Sequence, residues 1–364
     1  MKITRVEAIP LAIPFSYGAD SMTLGTGAWK KLDYCLVKVQ TDAGITGWGD
    51  AFAYTCRRAS AAAVNDMIAP LALGHDATDI SGLHAKIQKQ LHLFGRYGIT
   101  VFALSGLDIA LWDIAGKAAG LPLHRLIGGA RRTSIPCYAS LLRYSEPGLV
   151  TKYCSQAHAE GYAAIKLHEV ADAAIAAARE AVPREIPLLL DVNCEWRPLE
   201  ALAAGRRFRQ FDLAWFEEPV FPPEDFNALR MVGEGCGIPI AAGENYCFAT
   251  QFAALFEARG VQIAQPSVTK VGGVTEFLKI RALAEAHNVR LAPHSPYFGP
   301  GALATLHLLA SGGEDALFEY FYCEAAATLY GATLAPVNGV VRVPEGPGLG
   351  VEPDPEVIAR FRVD

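Results

Sequence analysis

The sequence has no block of lysine and arginine residues and no stripe in which basic and aromatic residues alternate. Its 364 residues include 32 Lys and Arg against 38 Asp and Glu, which gives a formal net charge of −6. Proteins that bind nucleic acids neutralise phosphates with clustered basic residues, so this balance argues against nucleic acid as a partner. The chain is 51% hydrophobic and 19% charged, which is typical of a globular protein. Its length is typical of about two domains.

Paired cysteines and long apolar segments are also missing from the sequence. The eight cysteines are scattered, and no two form a C-x-x-C pair. This usage is typical of a reduced, cytoplasmic protein rather than a disulfide framework or a zinc site. Lys2 and Arg5 lie near the N-terminus, but Glu7, Pro10 and Pro14 interrupt the apolar core of any signal peptide. No run of about 18 apolar residues is present, so we expect no membrane-spanning segment.

The first third of the chain combines strand-like and helical patterns. Residues 3–13, 33–41 and 45–51 predict an antiparallel meander, and residues 101–119 predict the strongest helix. Small residues in that helix would allow close packing, and we interpret Asp108 and Asp113 within it as structural. The glycine-rich loop at 15–31 is a candidate lid. It carries the apolar side chains of Tyr17, Met22, Leu24 and Trp29.

From about Pro122 the pattern changes to repeated strand–helix units. Eight β-like runs end 23 to 27 residues apart, near Ser140, Lys166, Asp191, Glu217, Glu244, Ser267, His294 and Glu319. Because the spacing repeats while the sequence does not, this rhythm predicts a closed β/α barrel. The helical pattern stops after Glu319, which suggests that the eighth unit lacks a helix.

Three acids close neighbouring predicted strands. Asp191, Glu217 and Glu244 each end an apolar run, and they lie 26 and 27 residues apart. The carboxyl ends of parallel strands meet at one face of a barrel, so we expect the three carboxylates to lie together. Three oxygen ligands at one point suit a hard cation such as Mg²⁺. Surface salt bridges are the alternative, but they do not explain why each acid ends a strand.

Basic residues lie at the same predicted face. Of the nine histidines, His168 and His294 fall at barrel strand ends. Lys166 and His168 are two apart in an extended segment, so they point to one side. Their mutual repulsion beside a cation would favour loss of a proton from one of them, as a general base requires. A Lys or His base with Mg²⁺ suits removal of a proton α to a carboxylate through an enediolate.

Several segments resemble the mandelate racemase/muconate-lactonizing branch of the enolase superfamily. The matching segments are 103–117, 122–129, 190–193, 216–219, 243–245 and 270–275. The resemblance implies an α/β fold, in which a modified (β/α)7β TIM barrel carries an N-terminal α+β capping domain. We place the capping domain at 1–121, the barrel at 122–325 and a segment returning to the capping domain at 326–364. The family also implies one essential Mg²⁺ and a homo-oligomer, a dimer or an octamer.

The resemblance assigns roles by position. The implied metal ligands are Asp191, Glu217 and Glu244, and the implied catalytic residues are Lys166, His168 and His294. Glu319 matches an acid that hydrogen-bonds the substrate carboxylate, and the loops near 15–31 and 50–58 match the specificity loops. The candidate substrate-binding residues are Asn193, Ser267, Glu319, Tyr17, Trp29 and Tyr54.

Two positions depart from the family pattern. His168 replaces the second lysine of the strand-two Lys-x-Lys motif, although an imidazole can still act as a base. On strand six Ser267 stands where racemase-like members have an aspartate that orients the strand-seven histidine, while muconate-lactonizing members place a lysine base on that strand. A hydroxyl can orient an imidazole but cannot stabilise its charged form as a carboxylate does. His294 would then be a weaker base, an acid or a hydrogen-bond partner. We interpret Lys270, three residues on, as structural.

The leading hypothesis is a dehydratase of a hydroxy acid or sugar acid. His168 or Lys166 would remove the α-proton, and His294 would protonate the departing β-hydroxyl. A racemase or epimerase, with bases on strands two and seven, is the alternative, followed by a lactone cycloisomerase that needs one competent base. A non-catalytic binding protein on a degenerate barrel is an alternative from another class. Apolar loop residues such as Met22 and Trp29 favour a less polar substrate.

Overall fold

A computed structural model describes residues 1–19, 22–24, 27–313 and 315–364 of the chain. Four residues of the predicted lid, Asp20, Ser21, Gly25 and Thr26, lie outside the described residues, as does the side chain of Leu24. The lid hypothesis therefore stays a prediction.

The N-terminal part is an antiparallel sheet covered by helices. In chain order its elements are β1 (Ile3–Ser16), β2 (Thr23–Leu24), β3 (Gly27–Ala28), β4 (Lys31–Thr41), β5 (Thr46–Ala51), α1 (Arg57–Ala62), a π-helical segment (Ala63–Ile68), α2 (Ala69–Ala72), α3 (Ile80–Gln90), a 3-10 turn (His92–Phe94), α4 (Ile99–Ala119) and α5 (Leu123–Leu126). β4 pairs with both β1 and β5, so the predicted meander is confirmed.

Helix α4 packs directly on the sheet because both surfaces have small residues. A Cβ atom added to Gly49 would lie 1.8 Å from the carbonyl oxygen of Gly106. Asp108 and Asp113 are buried and accept backbone hydrogen bonds, from Thr275 and Trp48 among others, as their structural interpretation requires.

Helix α4 bears on the expectation that no segment spans a membrane. By length and composition α4 is apolar enough to cross a membrane, and within the described residues it alone passes this test. However, 72% of its apolar window is buried inside the molecule. This is the pattern of a core helix, whose apolar surface faces protein.

The rest of the chain builds the barrel. Its strands are β6 (Ser134–Ser140), β7 (Ala164–Leu167), β8 (Leu188–Asp191), β9 (Leu213–Glu217), β10 (Ile240–Ala242), β11 (Ile263–Ala264), β12 (Arg290–Leu291) and β13 (Phe318–Phe321). The helices between them are α6 (Pro147–Ala159), α7 (Asp172–Ala181), α8 (Pro198–Phe208), α9 (Phe226–Cys236), α10 (Phe248–Glu257), α11 (Gly273–Ala286) and α12 (Pro300–Ala310).

These strands form one curled parallel sheet in the order β12-β11-β10-β9-β8-β7-β6-β13. Seven helices alternate with eight strands, so the fold is the expected (β/α)7β barrel with an N-terminal α+β domain. Strands β10, β11 and β12 end two or three residues before the predicted positions, at Ala242, Ala264 and Leu291. Glu244, Ser267 and His294 therefore lie on the loops that directly follow their strands.

The C-terminal segment contacts both parts of the molecule. It contains β14 (Glu324–Ala325), β15 (Val340–Arg342) and α13 (Pro355–Phe361). β14 pairs with β1, whereas β15 pairs antiparallel with the barrel strand β6. After α13, Val363 donates a backbone hydrogen bond to Pro10 in β1. The division at residues 121 and 325 stays a prediction.

Candidate active site

The carboxyl ends of the barrel strands bring the predicted acids to one face. β8 and β9 pair with Asp191 opposite Glu217. The chain turns sharply just beyond each acid, since Asn193 and Glu218 have φ angles of 48° and 43°. Such left-handed conformations are costly for residues other than glycine and are concentrated at functional sites. On the next strand Gly243 precedes Glu244 with φ 148°, where a Cβ atom would lie 2.7 Å from the amide of Gln265.

Asp191, Glu217 and Glu244 form a compact acid triad, a name kept below for these three side chains. One carboxylate oxygen from each lies within 4.8 Å of the others. The side chains of Asp191 and Glu217 are 1% and 0% exposed, and that of Glu244 is 15% exposed. This burial rules out the alternative of surface salt bridges.

The acids of the triad differ in their pKa values because their neighbours differ. Burial and the charge of Asp191 raise the pKa of Glu217 well above its usual value. Burial acts in the same direction on Asp191, but Lys166 and the contact with His168 lower its pKa to about 2. At Glu244, His294 and Lys270 likewise outweigh burial and lower the pKa. The buried charge around Glu217 is therefore the least compensated.

Lys166 lies at the centre of these acids. Its Nζ atom is 3.3 Å from Asp191 Oδ2, 2.9 Å from Glu217 Oε1 and 2.8 Å from Glu319 Oε1. Although burial lowers its pKa, the charges of Glu217 and Glu319 raise it well above the usual value. The expected easier loss of a proton was argued for a site that holds a bound cation, and it stays a prediction for that state.

His168 lies beside Lys166, as the two-residue spacing predicts. Its Nε2 atom is 3.3 Å from Asp191 Oδ2, and its Nδ1 atom is 2.5 Å from the carbonyl oxygen of Leu141. A carbonyl oxygen can only accept, so Nδ1 carries a proton and Nε2 is the nitrogen that faces the triad.

His294 lies at the opposite end of the triad. Its Nε2 atom is 2.7 Å from Glu244 Oε2, and its Nδ1 atom is 2.8 Å from the hydroxyl of Tyr297. Ser267 was a candidate substrate-binding residue and a candidate partner of this imidazole. It is instead fully buried, and its hydroxyl is hydrogen-bonded to that of Tyr297. Ser267 therefore contacts Tyr297 and does not line the pocket.

Glu319 lies on β13 and closes the ring of polar groups. Its Oε1 accepts from Ser140 and contacts Lys166, while its Oε2 accepts from the backbone amide of Ser295. Burial raises its pKa, but Lys166 and His294 outweigh that effect and lower it. It lines the same pocket as Lys166.

These groups open into a pocket of about 670 Å³ between the barrel and the N-terminal part. The predicted residues that line it are Lys166, His168, Asn193, Glu244, His294, Glu319, Met22, Trp29 and Tyr54. Tyr17 does not line it. The Tyr17 ring packs on Tyr144 and borders a separate cavity of about 470 Å³, so its assignment to substrate binding is corrected.

Three functional candidates were missed by sequence reasoning. Lys270, interpreted as structural, lines the pocket, with its Nζ atom 3.7 Å from Glu244 and 4.8 Å from the centre of the Phe52 ring. Arg143 also lines it and donates to the carbonyl oxygen of His168. The signal for both was position, since each lies three residues beyond a predicted strand end. No comparable signal marks Tyr297, because only the fold shows what its hydroxyl meets.

Comparisons with known proteins agree with this geometry. Residues 12–128 match the N-terminal domain of the mandelate racemase/muconate lactonizing enzymes, and residues 150–357 match the enolase C-terminal domain-like family. The D-galactarolactone cycloisomerase of Agrobacterium fabrum is 33% identical over 100% of this chain and 99% of its own length. The L-talarate/galactarate dehydratase of Salmonella typhimurium is 32% identical, covering 94% and 85% of the two chains.

A solved structure adds a metal-bound relative. A racemase from Streptomyces coelicolor with bound magnesium superposes with a TM-score of 0.87 and 29% identity, covering 99% of this chain and 100% of the other. The family models together span both parts of the fold, and the relatives named here match 94% or more of this chain. The chain therefore belongs to the mandelate racemase/muconate lactonizing enzyme family of the enolase superfamily.

Proposed function

We propose that this protein catalyses β-elimination from a sugar acid, acting as a dehydratase. The observation that carries the proposal is the placement of acid–base groups at the two ends of the acid triad. Lys166 and His168 contact Asp191 at one end, and His294 contacts Glu244 at the other. One group can remove the α-proton while another protonates the leaving oxygen on the β-carbon.

We further propose that the acid triad holds Mg²⁺. Three carboxylate oxygens within 4.8 Å of one another are hard ligands of the kind this cation prefers. The raised pKa of Glu217 reflects buried negative charge that a cation would compensate. The relative with bound magnesium supports the same choice. A bound divalent cation would stabilise the negative charge that develops on the substrate carboxylate.

Within this scheme the side chains have separate tasks. In a neutral His168 ring the proton lies on Nδ1, which donates to Leu141, so Nε2 would be free to take the α-proton; this geometry favours His168 over Lys166 as the base. Lys166 keeps its proton among three carboxylates and can donate a hydrogen bond to the developing enediolate. His294 donates the proton that accompanies departure of the β-hydroxyl. Water and a 2-keto acid are the products.

The test is incubation of the Mg²⁺-loaded protein with a panel of aldonic and aldaric acids. We expect a 2-keto acid from at least one panel member, and no product from a His294→Asn variant. A panel in which no acid gives a keto product above background would contradict the dehydratase proposal. Exchange of the α-proton in D₂O without a keto product would instead favour a racemase or epimerase.

Lactone cycloisomerisation is the second candidate. It is favoured by the cycloisomerase relative that matches the whole chain and by the aromatic pocket wall of Trp29, Phe52 and Phe321. If the β-oxygen belongs to a lactone ring, the same elimination opens the ring and gives an isomer without loss of water. Sugar-acid lactones in the panel separate the two, since only dehydration lowers the product mass by one water. The homo-oligomer, a dimer or an octamer, stays a proposal that sedimentation would test.

A further inference from the structure

Tyr297 connects the site to a residue that sequence reasoning expected to touch His294 directly. Its side chain is buried, and within the described residues it is not part of the pocket lining. Its hydroxyl contacts His294 Nδ1 at 2.8 Å on one side and the hydroxyl of Ser267 on the other. Ser267 Oγ also lies 3.3 Å from Thr269 Oγ1. A chain of hydroxyl groups therefore runs from β11 to the imidazole.

The direction of hydrogen bonding in this chain follows from what each atom can do. A carboxylate oxygen can only accept, so His294 Nε2 is the donor to Glu244 Oε2. An imidazole that acts as the acid carries a proton on each nitrogen, so Nδ1 donates to the phenol oxygen of Tyr297. Burial raises the pKa of that phenol well above its usual value, so it stays a neutral hydroxyl. The phenol can in turn donate to the hydroxyl oxygen of Ser267.

The ring of Tyr297 is itself fixed. It meets the imidazole of His294 edge-on at a centroid distance of 5.5 Å and an angle of 76°. On its other side it packs edge-on against Phe52 and tilted against Tyr54, at 6.2 Å and 6.1 Å. Close packing restricts the ring to one rotamer, so the hydroxyl has a defined position.

We infer that Tyr297 is the positioning residue of His294, and that Ser267 acts on the imidazole only through Tyr297. The phenol oxygen holds the Nδ1 side of the ring, so that Nε2 is directed at Glu244 in the pocket wall. The imidazole thus contacts a phenol where the sequence predicted a contact with the hydroxyl of Ser267. The inference rests on the proposed role of His294 as the acid of the elimination.

The test is the Tyr297→Phe variant of the Mg²⁺-loaded protein, which removes the hydroxyl and keeps the ring. Loss of the hydrogen-bonding partner behind a metal-bound histidine typically costs about 10- to 100-fold, and the same scale is expected for the partner of His294. We expect kcat to fall by about that factor with KM nearly unchanged, because Tyr297 does not touch the pocket. Release of α-deuterium from a labelled substrate should fall less than keto-acid formation, since the base at strand two is intact.

Two further variants separate a hydrogen-bond chain from a general loss of packing. Tyr330→Phe is the matched control, because the buried hydroxyl of Tyr330 has no hydrogen-bond partner among the described residues. It should behave as the unmodified protein does. Ser267→Ala should lower kcat less than Tyr297→Phe. The double variant should be no less active than Tyr297→Phe alone, because the effects of substitutions within one hydrogen-bond network are not additive.

A readout independent of turnover is the ¹⁵N resonance of the His294 ring, identified by its loss in His294→Asn. Removing the phenol hydroxyl should shift the Nδ1 resonance toward the value of a nitrogen without a hydrogen-bond partner, while an unchanged resonance would overturn the inference. Turnover of Tyr297→Phe within twofold of normal, with His294→Asn inactive, would also overturn it and leave the proposed function standing. Normal turnover by His294→Asn would instead overturn the role of His294 as the acid. The resonance would still show whether Tyr297 positions the His294 ring.

Discussion

At the scale of single residues, the acid triad places negative charge where solvent cannot reach it. Asp191 and Glu217 are almost fully buried, and Lys166 lies between them. Removing carboxylates from water is expensive unless cations or hydrogen bonds compensate their charge. The raised pKa of Glu217 shows that compensation is incomplete there. A divalent cation should therefore bind and stabilise the fold.

Thermal unfolding with and without Mg²⁺ measures this effect. A ligand at 100 times its Kd stabilises the folded state by about 2.7 kcal/mol, so Tm should rise with Mg²⁺ concentration. Glu217→Gln keeps the side-chain shape but removes a ligand charge, and it should abolish the rise. Glu234→Gln, at an exposed position on α9, is the control that should keep it. An equal rise in Glu217→Gln would show that Mg²⁺ binds elsewhere.

The positions of site residues could be predicted from the sequence where the regular spacing of the strands determined them. The spacing of Asp191, Glu217 and Glu244 predicted one face, and the fold brings their oxygens together. Contacts made by loops were not predictable. Ser267 follows the same rhythm, yet its partner depends on how the loop after β12 places Tyr297. The sequence contains no periodicity that reports such a contact.

At the scale of elements, β5 and α4 pack with their backbones in close approach. The backbone of Gly49 lies so near Gly106 that a Cβ atom would overlap a carbonyl oxygen. A carbonyl oxygen within a helix cannot move aside as a flexible side chain can. The small residues recognised in the helical pattern therefore explain how an apolar helix comes to lie against this sheet.

Gly49→Ala should accordingly lower the free energy of unfolding. Overpacking a well-packed core costs about 1–3 kcal/mol and occasionally more, and urea denaturation would measure the loss. Gly313→Ala is the matched control, since among the described residues no atom beyond its chain neighbours lies within 4 Å of the added Cβ position. Equal stability of the two variants would contradict the packing account.

Element boundaries were less predictable than element order. The sequence pattern predicted the strands and helices in the right sequence, but β10 to β12 end earlier than their apolar runs. Hydrogen-bonded pairing stops where neighbouring strands diverge, while the apolar pattern continues because the loops above them are also buried. Lys270 illustrates the consequence, since it lies on a buried loop within the pocket wall rather than in an outer structural position.

At the scale of the whole molecule, one buried contact joins three regions of the chain. His307 in α12 lies 2.9 Å, Nδ1 to Nδ1, from His124 in α5, and its Nε2 atom is 3.2 Å from the carbonyl oxygen of Leu349. Burial lowers the pKa of His307 to about 4. The unfolded chain, in which a histidine has a pKa of about 6.5, therefore binds the proton more readily.

Stability should consequently fall as pH decreases from about 7 to about 4. The contribution of His307 is present above its unfolded pKa and is lost toward its folded one, a change on the order of 3 kcal/mol. Urea unfolding across this range should show a shallower loss for His307→Asn than for the unmodified protein. His92→Asn, at an exposed position, should leave the slope unchanged. Identical slopes for the His307 variant and the unmodified protein would contradict this assignment.

The central claim for the molecule is that the buried face of the barrel removes a proton α to a carboxylate. The most direct measurement is release of deuterium to water from an α-deuterated sugar-acid substrate, with Mg²⁺ present. The unmodified protein should release deuterium, and Glu217→Gln should release it at no more than background rate. Absence of release across the panel of acids and lactones would favour a non-catalytic binding protein. Release by Glu217→Gln at the normal rate would contradict the role of the acid triad.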